Sequence, residues 1–244
     1  MSDDAVLLTE DRENIRILRL NRPDNLNAMN EALVHALVGA VDDAHADDSI
    51  VAIIMAGGER AFSAGADIKE AASRKEDSPE AARLHVERSR AIYQLGARTD
   101  KPLIAAVQGY VLGGGCNLAI SADIVVAGEN AVFGYPEVKR GLAATMVTPG
   151  LVHKIGPKAA FEMLILAENI SARRAETLGL INRVVPNDTV LDEAIEMARA
   201  LSEFDSRAIR ATKRVFLKST QLPLTEALDY AAETMLQLRV ISER

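Results

Sequence analysis

KPLIAAVQGYVLGGGCNLAISADIVVAGENAVFGYPEVKRG, residues 101–141, decides how the rest of the chain is read. An apolar run over 103–107 is closed by Gly109, and Gly113, Gly114 and Gly115 then precede an apolar segment over 116–122. A second apolar run, 124–127, follows directly, and beyond a polar turn at Gly128, Glu129 and Asn130 comes Ala131-Val132-Phe133-Gly134. Short apolar runs punctuated by glycine predict strand, helix, strand, strand. Three glycines ahead of a helix leave bare backbone N–H groups where a ligand can approach, and the helix N-terminus adds partial positive charge. That pattern suits an anion or an oxygen that becomes one, and it equally suits a helix packed closely on a strand. It lacks the Lys of a phosphate-binding P-loop and the G-x-G-x-x-G spacing of a dinucleotide site.

A second glycine segment, Ala61-Phe62-Ser63-Ala64-Gly65-Ala66-Asp67-Ile68-Lys69-Glu70, follows the apolar run over 51–56. Here too a strand ends in small residues and enters a helix. Two such strand ends can aim backbone donors at one carbonyl oxygen from two sides, the arrangement of an oxyanion hole.

AFSAGADIKE, the GGGC turn and FGYPEVKRG, in this order and spacing, resemble the crotonase superfamily of enoyl-CoA hydratases and isomerases. The similarity extends to Asn21-Arg22-Pro23 and Asn27-Ala28-Met29, and to Ala175-Glu176-Thr177-Leu178-Gly179-Leu180-Ile181-Asn182-Arg183-Val184-Val185. The resemblance implies an α/β fold, a spiral of ββα turns over residues 1–188, followed by a C-terminal helical region over 189–244 that packs at a trimer interface. It implies an acyl-CoA substrate, no metal and no redox cofactor, coenzyme A arriving as part of the substrate, and a homotrimer or dimer of trimers.

The same resemblance assigns roles. The backbone N–H groups of Ala66 and Gly114 would hold the oxygen of a thioester enolate, and Glu137 of the Pro136-Glu137 pair would carry the proton. Asn25 and Leu26, with Ala64, Ala66, Asp67, Ile68, Lys69 and Gly114, would line the CoA and substrate path. Two-glutamate hydratases place a second Glu directly after the glycine turn, where this chain has Asn117. An amide exchanges no proton at neutral pH but can hydrogen-bond a water or an acyl oxygen. Hydration of a 2-enoyl ester and isomerisation of a 3-enoyl ester by one glutamate therefore both stand open, as do a binding subunit without catalysis and another enolate reaction such as C–C cleavage or thioester hydrolysis. Residues 138–146, VKRGLAATM, lack the P-G-x-G-G-T-Q run of common hydratases, so the acyl preference is expected to be unusual. Lys139 and Arg140 are expected as a solvated pair, with an acidic acyl group or the CoA phosphates as the functional alternative. Many relatives continue beyond the position of Arg244 with a helix over the CoA adenosine. Cover from a neighbouring subunit, or weaker CoA binding, is expected in its place.

With 244 residues, 48% hydrophobic, the chain has ample material for a core. A formal net charge of -7 and a pI near 5.2 argue against a general nucleic-acid binder. The single cysteine, Cys116, forms no intrachain disulfide and is expected in the core of a protein from a reducing compartment. No apolar run reaches 18 residues and the start MSDDAVLLTEDREN is acidic, so a cytoplasmic protein with no membrane partner is expected.

Elsewhere the pattern predicts a hairpin turning over 10–14 and a helix over 30–45 with Ala32, Leu33, Ala36, Leu37, Ala40 and Val41 on its apolar face. His35 and His45 are expected at its surface. A charged, alanine-rich stretch over 70–98 is broken at Ser78-Pro79, with His85 solvated and Tyr93 in core packing. Helices are expected over 157–167 and 172–178, a strand over 181–185, and a helical tail interrupted near 204–206 and 222–223.

Overall fold

The computed structural model describes residues 5–73 and 78–242, so part of the charged stretch over 70–98 lies outside the described residues. Strands β1 (Leu7–Arg12) and β2 (Ile15–Leu20) form an antiparallel hairpin, followed by α1 (Glu31–Ala46), β3 (Ala52–Ala56), β4 (Ala61–Ser63) and α2 (Ile68–Ser73). Helices α3 (Pro79–Ala91) and α4 (Leu95–Arg98) lead to β5 (Leu103–Val107), β6 (Tyr110–Leu112) and α5 (Gly114–Ile120), then to β7 (Ile124–Gly128) and β8 (Val132–Gly134). After α6 (Thr148–Ile155) and α7 (Pro157–Leu166) come β9 (Ile170–Ser171), α8 (Ala172–Thr177) and β10 (Arg183–Val185). The tail is α9 (Val190–Ser202), α10 (Ser206–Ser219) and α11 (Leu224–Ser242).

The hairpin β1-β2 lies in one sheet, and each of the pairs β3-β4, β5-β6 and β7-β8 gives one strand to each of two sheets. The first has the order β1-β2-β3-β5-β7-β10, parallel from β2 onward, and the second β4-β6-β8-β9, with β8 and β9 antiparallel. This is the α/β spiral with helical tail that the motifs imply.

The central strands are apolar throughout because both faces are covered. Successive side chains of β3 alternate: Ile53 and Met55 enter the main core, while Ala52, Ile54 and Ala56 join a second cluster with Ile15, Ile17 and Ile104. That second cluster is closed by Val190, Ala194, Ile195 and Ala198 of α9. The expected boundary at residue 188 thus precedes a helix that is built into the sheet, whereas α10 and α11 pack on each other.

Helix starts follow local chemistry. Asn30, Ser78 and Ser171 each accept a hydrogen bond from the N–H three residues on, those of Leu33, Ala81 and Arg174. Several expectations are corrected. The hairpin turns at Glu13-Asn14, with Glu13 at φ 57°, because strand pairing persists as far as Arg12 and Ile15. Ala32 is exposed and Ala44 takes its place on the buried face of α1. His45 is half-buried, with Nδ1 3.3 Å from the Thr99 hydroxyl. Helix α5 begins at Gly114 rather than at 116, and β6 fills the space between Gly109 and Gly113. The strand expected over 181–185 starts only at Arg183, because the Asn182 side chain is engaged by the Val125 N–H. Among the described residues, no helix is long and apolar enough to cross a membrane.

Candidate active site

The glycine turn is fixed from both sides. Gly113 adopts φ 52°, ψ −124°, open to glycine, and its N–H donates to Gly134 O at 2.8 Å, tying the turn to β8. The Gly113 carbonyl accepts from the Cys116 and Asn117 amides at 3.0 and 3.1 Å. Across a trans peptide N–H and C=O point oppositely, so the Gly114 N–H points out of the helix start, where it has no intrahelical acceptor. Gly115 explains the third glycine: a Cβ there would overlap the Ser63 carbonyl oxygen, so α5 could not lie against β4.

A matching argument places Ala66. The Gly65 carbonyl accepts from Met29 N at 2.8 Å, so the next amide, that of Ala66, points away from Met29. Gly65 lies so close to the glycine turn that a Cβ on it would stand 2.9 Å from Leu112 O and 3.3 Å from Gly114 N. The two strand ends thus meet as the pattern predicts, and Gly65, Ala66, Gly113 and Gly114 line a common cavity of about 250 Å³.

Glu137 lines the same cavity, at the head of a 3-10 turn over Val138–Arg140, with its carbonyl accepting from Arg140 N and Leu142 N at 3.0 Å each. A Cβ on Gly113 would lie 2.7 Å from Glu137 Oε1. Among the described residues Oε2 is buried with no hydrogen-bond partner. Burial pushes the carboxyl above the ordinary glutamate range, opposed in smaller measure by its own backbone N–H and by the Arg140 charge. A half-buried carboxylate with one oxygen free of donors, beside the glycine turn in a mainly apolar cavity, is equipped to take and return a proton.

Of the other residues singled out in the sequence, Ala64 and Ile68 line this cavity. Asn117 does not: its Nδ2 donates to Val147 O at 3.0 Å and its Oδ1 accepts from the Tyr135 hydroxyl at 2.7 Å. The amide expected to hold a water or acyl oxygen is engaged beneath the floor. Asp67 pairs with Arg22 at 2.9 Å, which holds its carboxyl below the usual range. Lys69 and Asn25 are exposed, and Leu26 faces a second cavity of about 300 Å³ with Pro23, Asp24 and Arg60. Cys116 is buried and its thiol is pushed up to about 12, as befits a core residue.

Lys139 and Arg140 are both exposed, as expected, and Arg140 alone of the two also lines the cavity. Tyr93, expected only in core packing, also reaches the cavity, as does Ser89 one helical turn earlier. The remaining wall, 142–147, is a loop whose sequence carries no periodic signal.

A profile described as enoyl-CoA hydratase/isomerase matches residues 10–243. The 2,3-dehydroadipyl-CoA hydratase of Escherichia coli (strain K12) is 36% identical over 242 residues, 98% of this chain and 92% of that protein. A probable mitochondrial enoyl-CoA hydratase of Dictyostelium discoideum is 37% identical over 223 residues, 91% of this chain and 79% of the other. In three dimensions, enoyl-CoA hydratase subunit I from Geobacillus kaustophilus HTA426 superposes with a TM-score of 0.89 at 34% identity, covering 98% of this chain and 91% of that one. With the cavity and its motifs matched along nearly the whole sequence, the chain belongs to the enoyl-CoA hydratase/isomerase family of the crotonase superfamily and is an enzyme acting on acyl-CoA.

Proposed function

We propose that the Ala66 and Gly114 N–H groups hold the thioester oxygen and that Glu137 is the sole proton carrier, moving the double bond of a 3-enoyl-CoA to the 2-position. The observation that carries this reading is the unpartnered Oε2 of Glu137 in a cavity that the Asn117 amide, engaged by Val147 and Tyr135, does not line. Glu137 takes a proton from C2, the electron pair moves into the thioester to form an enolate, and the two N–H groups receive the charge. The same proton then returns at C4, leaving the 2-enoyl ester and a regenerated carboxylate. Each oxyanion donor is worth on the order of 10²–10³ in rate. Coenzyme A enters only as part of the substrate, and no metal takes part.

Hydration of a 2-enoyl ester is the second reading, favoured by the hydratase names of the relatives. Incubation with 2-enoyl- and 3-enoyl-CoA esters in heavy-oxygen water separates the two. Double-bond migration without label supports the isomerase, and heavy oxygen in a 3-hydroxyacyl product supports hydration. No turnover of any ester would leave a binding subunit.

The cationic Arg140 on the cavity wall supports an acyl chain ending in a carboxylate, the kind of chain that the name of the Escherichia coli relative specifies. Because the Arg140 charge holds the Glu137 pKa down, Arg140→Gln is expected to move the acid limb of the kcat/KM profile to higher pH. A limb that stays in place or moves down would remove Arg140 from the electrostatics of the site.

Exposed Phe216, Leu224, Leu228, Met235 and Leu236 on α10 and α11 support association of copies into trimers, to be weighed by light scattering.

A further inference from the structure

Tyr93 sits in a 3-10 turn, Ile92–Gln94, between α3 and α4. Its neighbours Ile92 and Leu95 are buried in the main core, which anchors the turn and aims the ring at the glycine loop. A Cβ on Gly114 would stand 2.6 Å from the Tyr93 hydroxyl oxygen and 3.6 Å from Cζ, so this hydroxyl lies against the residue whose N–H opens into the cavity. Among the described residues no protein group hydrogen-bonds to the Tyr93 hydroxyl. The contrast is with Tyr135, which is fully buried and donates a hydrogen bond to Asn117 Oδ1, whereas Tyr93 is half-buried.

Burial, and then the Glu137 charge, push the Tyr93 phenol up to about 12. It is therefore neutral throughout the working range and acts as a hydrogen-bond donor rather than a base. Tyr93 thus borders the cavity with its hydroxyl unpartnered by protein. Such a group persists most readily where a ligand supplies its acceptor.

We propose that the Tyr93 hydroxyl is a third donor to the reacting thioester, hydrogen-bonding the acyl oxygen beside the N–H groups of Ala66 and Gly114. The inference rests on the enolate reading above. No proton is transferred in this role: Tyr93 keeps its hydrogen while the C2 electron pair moves into the carbonyl, and the bond strengthens as charge grows on oxygen. The role also accounts for a polar side chain in the lining of a cavity made mainly of Ala, Gly, Leu, Met and Val.

The test is Tyr93→Phe, which removes one oxygen and keeps the ring. A dienoyl-CoA ester serves as probe, because its absorption moves to longer wavelength as the thioester carbonyl is polarised, with no turnover needed. Tyr93→Phe is expected to shrink the red shift seen on binding and to lower kcat roughly 100-fold, the lower range for loss of an oxyanion donor, with KM changed far less. A red shift and kcat equal to wild type would overturn the proposal and leave Tyr93 as packing. A probe that binds wild type without any red shift would instead bring down the oxyanion reading on which the proposal stands. Unfolding midpoints of the two proteins, measured side by side, assign a general loss of signal to misfolding, and an unaltered red shift in Tyr93→Asn would likewise overturn the role of the hydroxyl.

Discussion

Glu137→Gln is expected to lower kcat by about 10²–10⁴, the range that general acid–base catalysis supplies, while the Kd of a saturated acyl-CoA ester changes by only a few-fold. Gln has the shape of Glu and cannot exchange a proton at C2 or C4, whereas the donors at Ala66 and Gly114 belong to the backbone and survive the change. Wild-type activity should rise with pH through a midpoint above the ordinary glutamate value, because burial raises this carboxyl and the ionised form is the one that starts the cycle. The same shift bears on stability. The folded protein holds the Glu137 proton more tightly than the unfolded chain does, so this group favours folding at low pH, and the benefit is lost as pH rises through its folded pKa. At neutral pH the Gln variant should therefore be at least as resistant to heat as the parent. Turnover within a factor of two of wild type would remove Glu137 from the chemistry.

Lys213→Met is expected to destabilise the fold by about 3 kcal/mol, the lower end for a buried ion pair deprived of one partner. Lys213 Nζ donates to Asp123 Oδ2 at 2.7 Å and to Lys101 O at 2.6 Å, joining α10 to the loop between α5 and β7. Burial pushes Asp123 up and Lys213 down, so their attraction does not fully offset what they lose in leaving water. Asp123 alone would keep only the Leu103 N–H as donor. Its pKa would climb further, and the loss of stability should shrink as pH falls and the stranded carboxylate takes up a proton. Joint replacement by Leu at 123 and Met at 213 is expected to recover most of the single-variant loss. Urea unfolding midpoints at neutral and mildly acid pH measure all three, and a double variant no better than Lys213→Met would show that the charge left behind is not the cause.

The parts of the fold legible in the sequence are those held by near neighbours. Strand β5, the helix starts after Ser78 and Ser171, and the stops before Gly179 and Pro223 depend on residues a few positions apart and stand where expected, while the helix expected from Asn30 starts one residue later with Asn30 as its cap. Strands β6 and β9, three and two residues long, carry too little pattern to be seen. The meeting of the two glycine segments was legible as motif, because both ends of it are backbone. What Asn117 does was not, since its partners are 18 and 30 positions away and one is a main-chain carbonyl in a loop. Tyr93 misled for a related reason: a ring packed on core at one edge can present its oxygen to a cavity at the other.

The Asn117 arrangement also bears on how freely this enzyme can change its reaction over generations. Glutamate at 117 would set a carboxylate against the Val147 carbonyl, which now takes a hydrogen bond from the amide, so two oxygens would oppose each other where a donor and an acceptor meet today. Gly150 adds to the constraint, since a Cβ there would lie 2.9 Å from Asn117 Nδ2, leaving the start of α6 little room to yield. A single change to a two-carboxylate site at 117 would thus be selected against for folding before it could be selected for catalysis. Relatives that carry a different residue at 117 should therefore differ in the 142–147 loop as well.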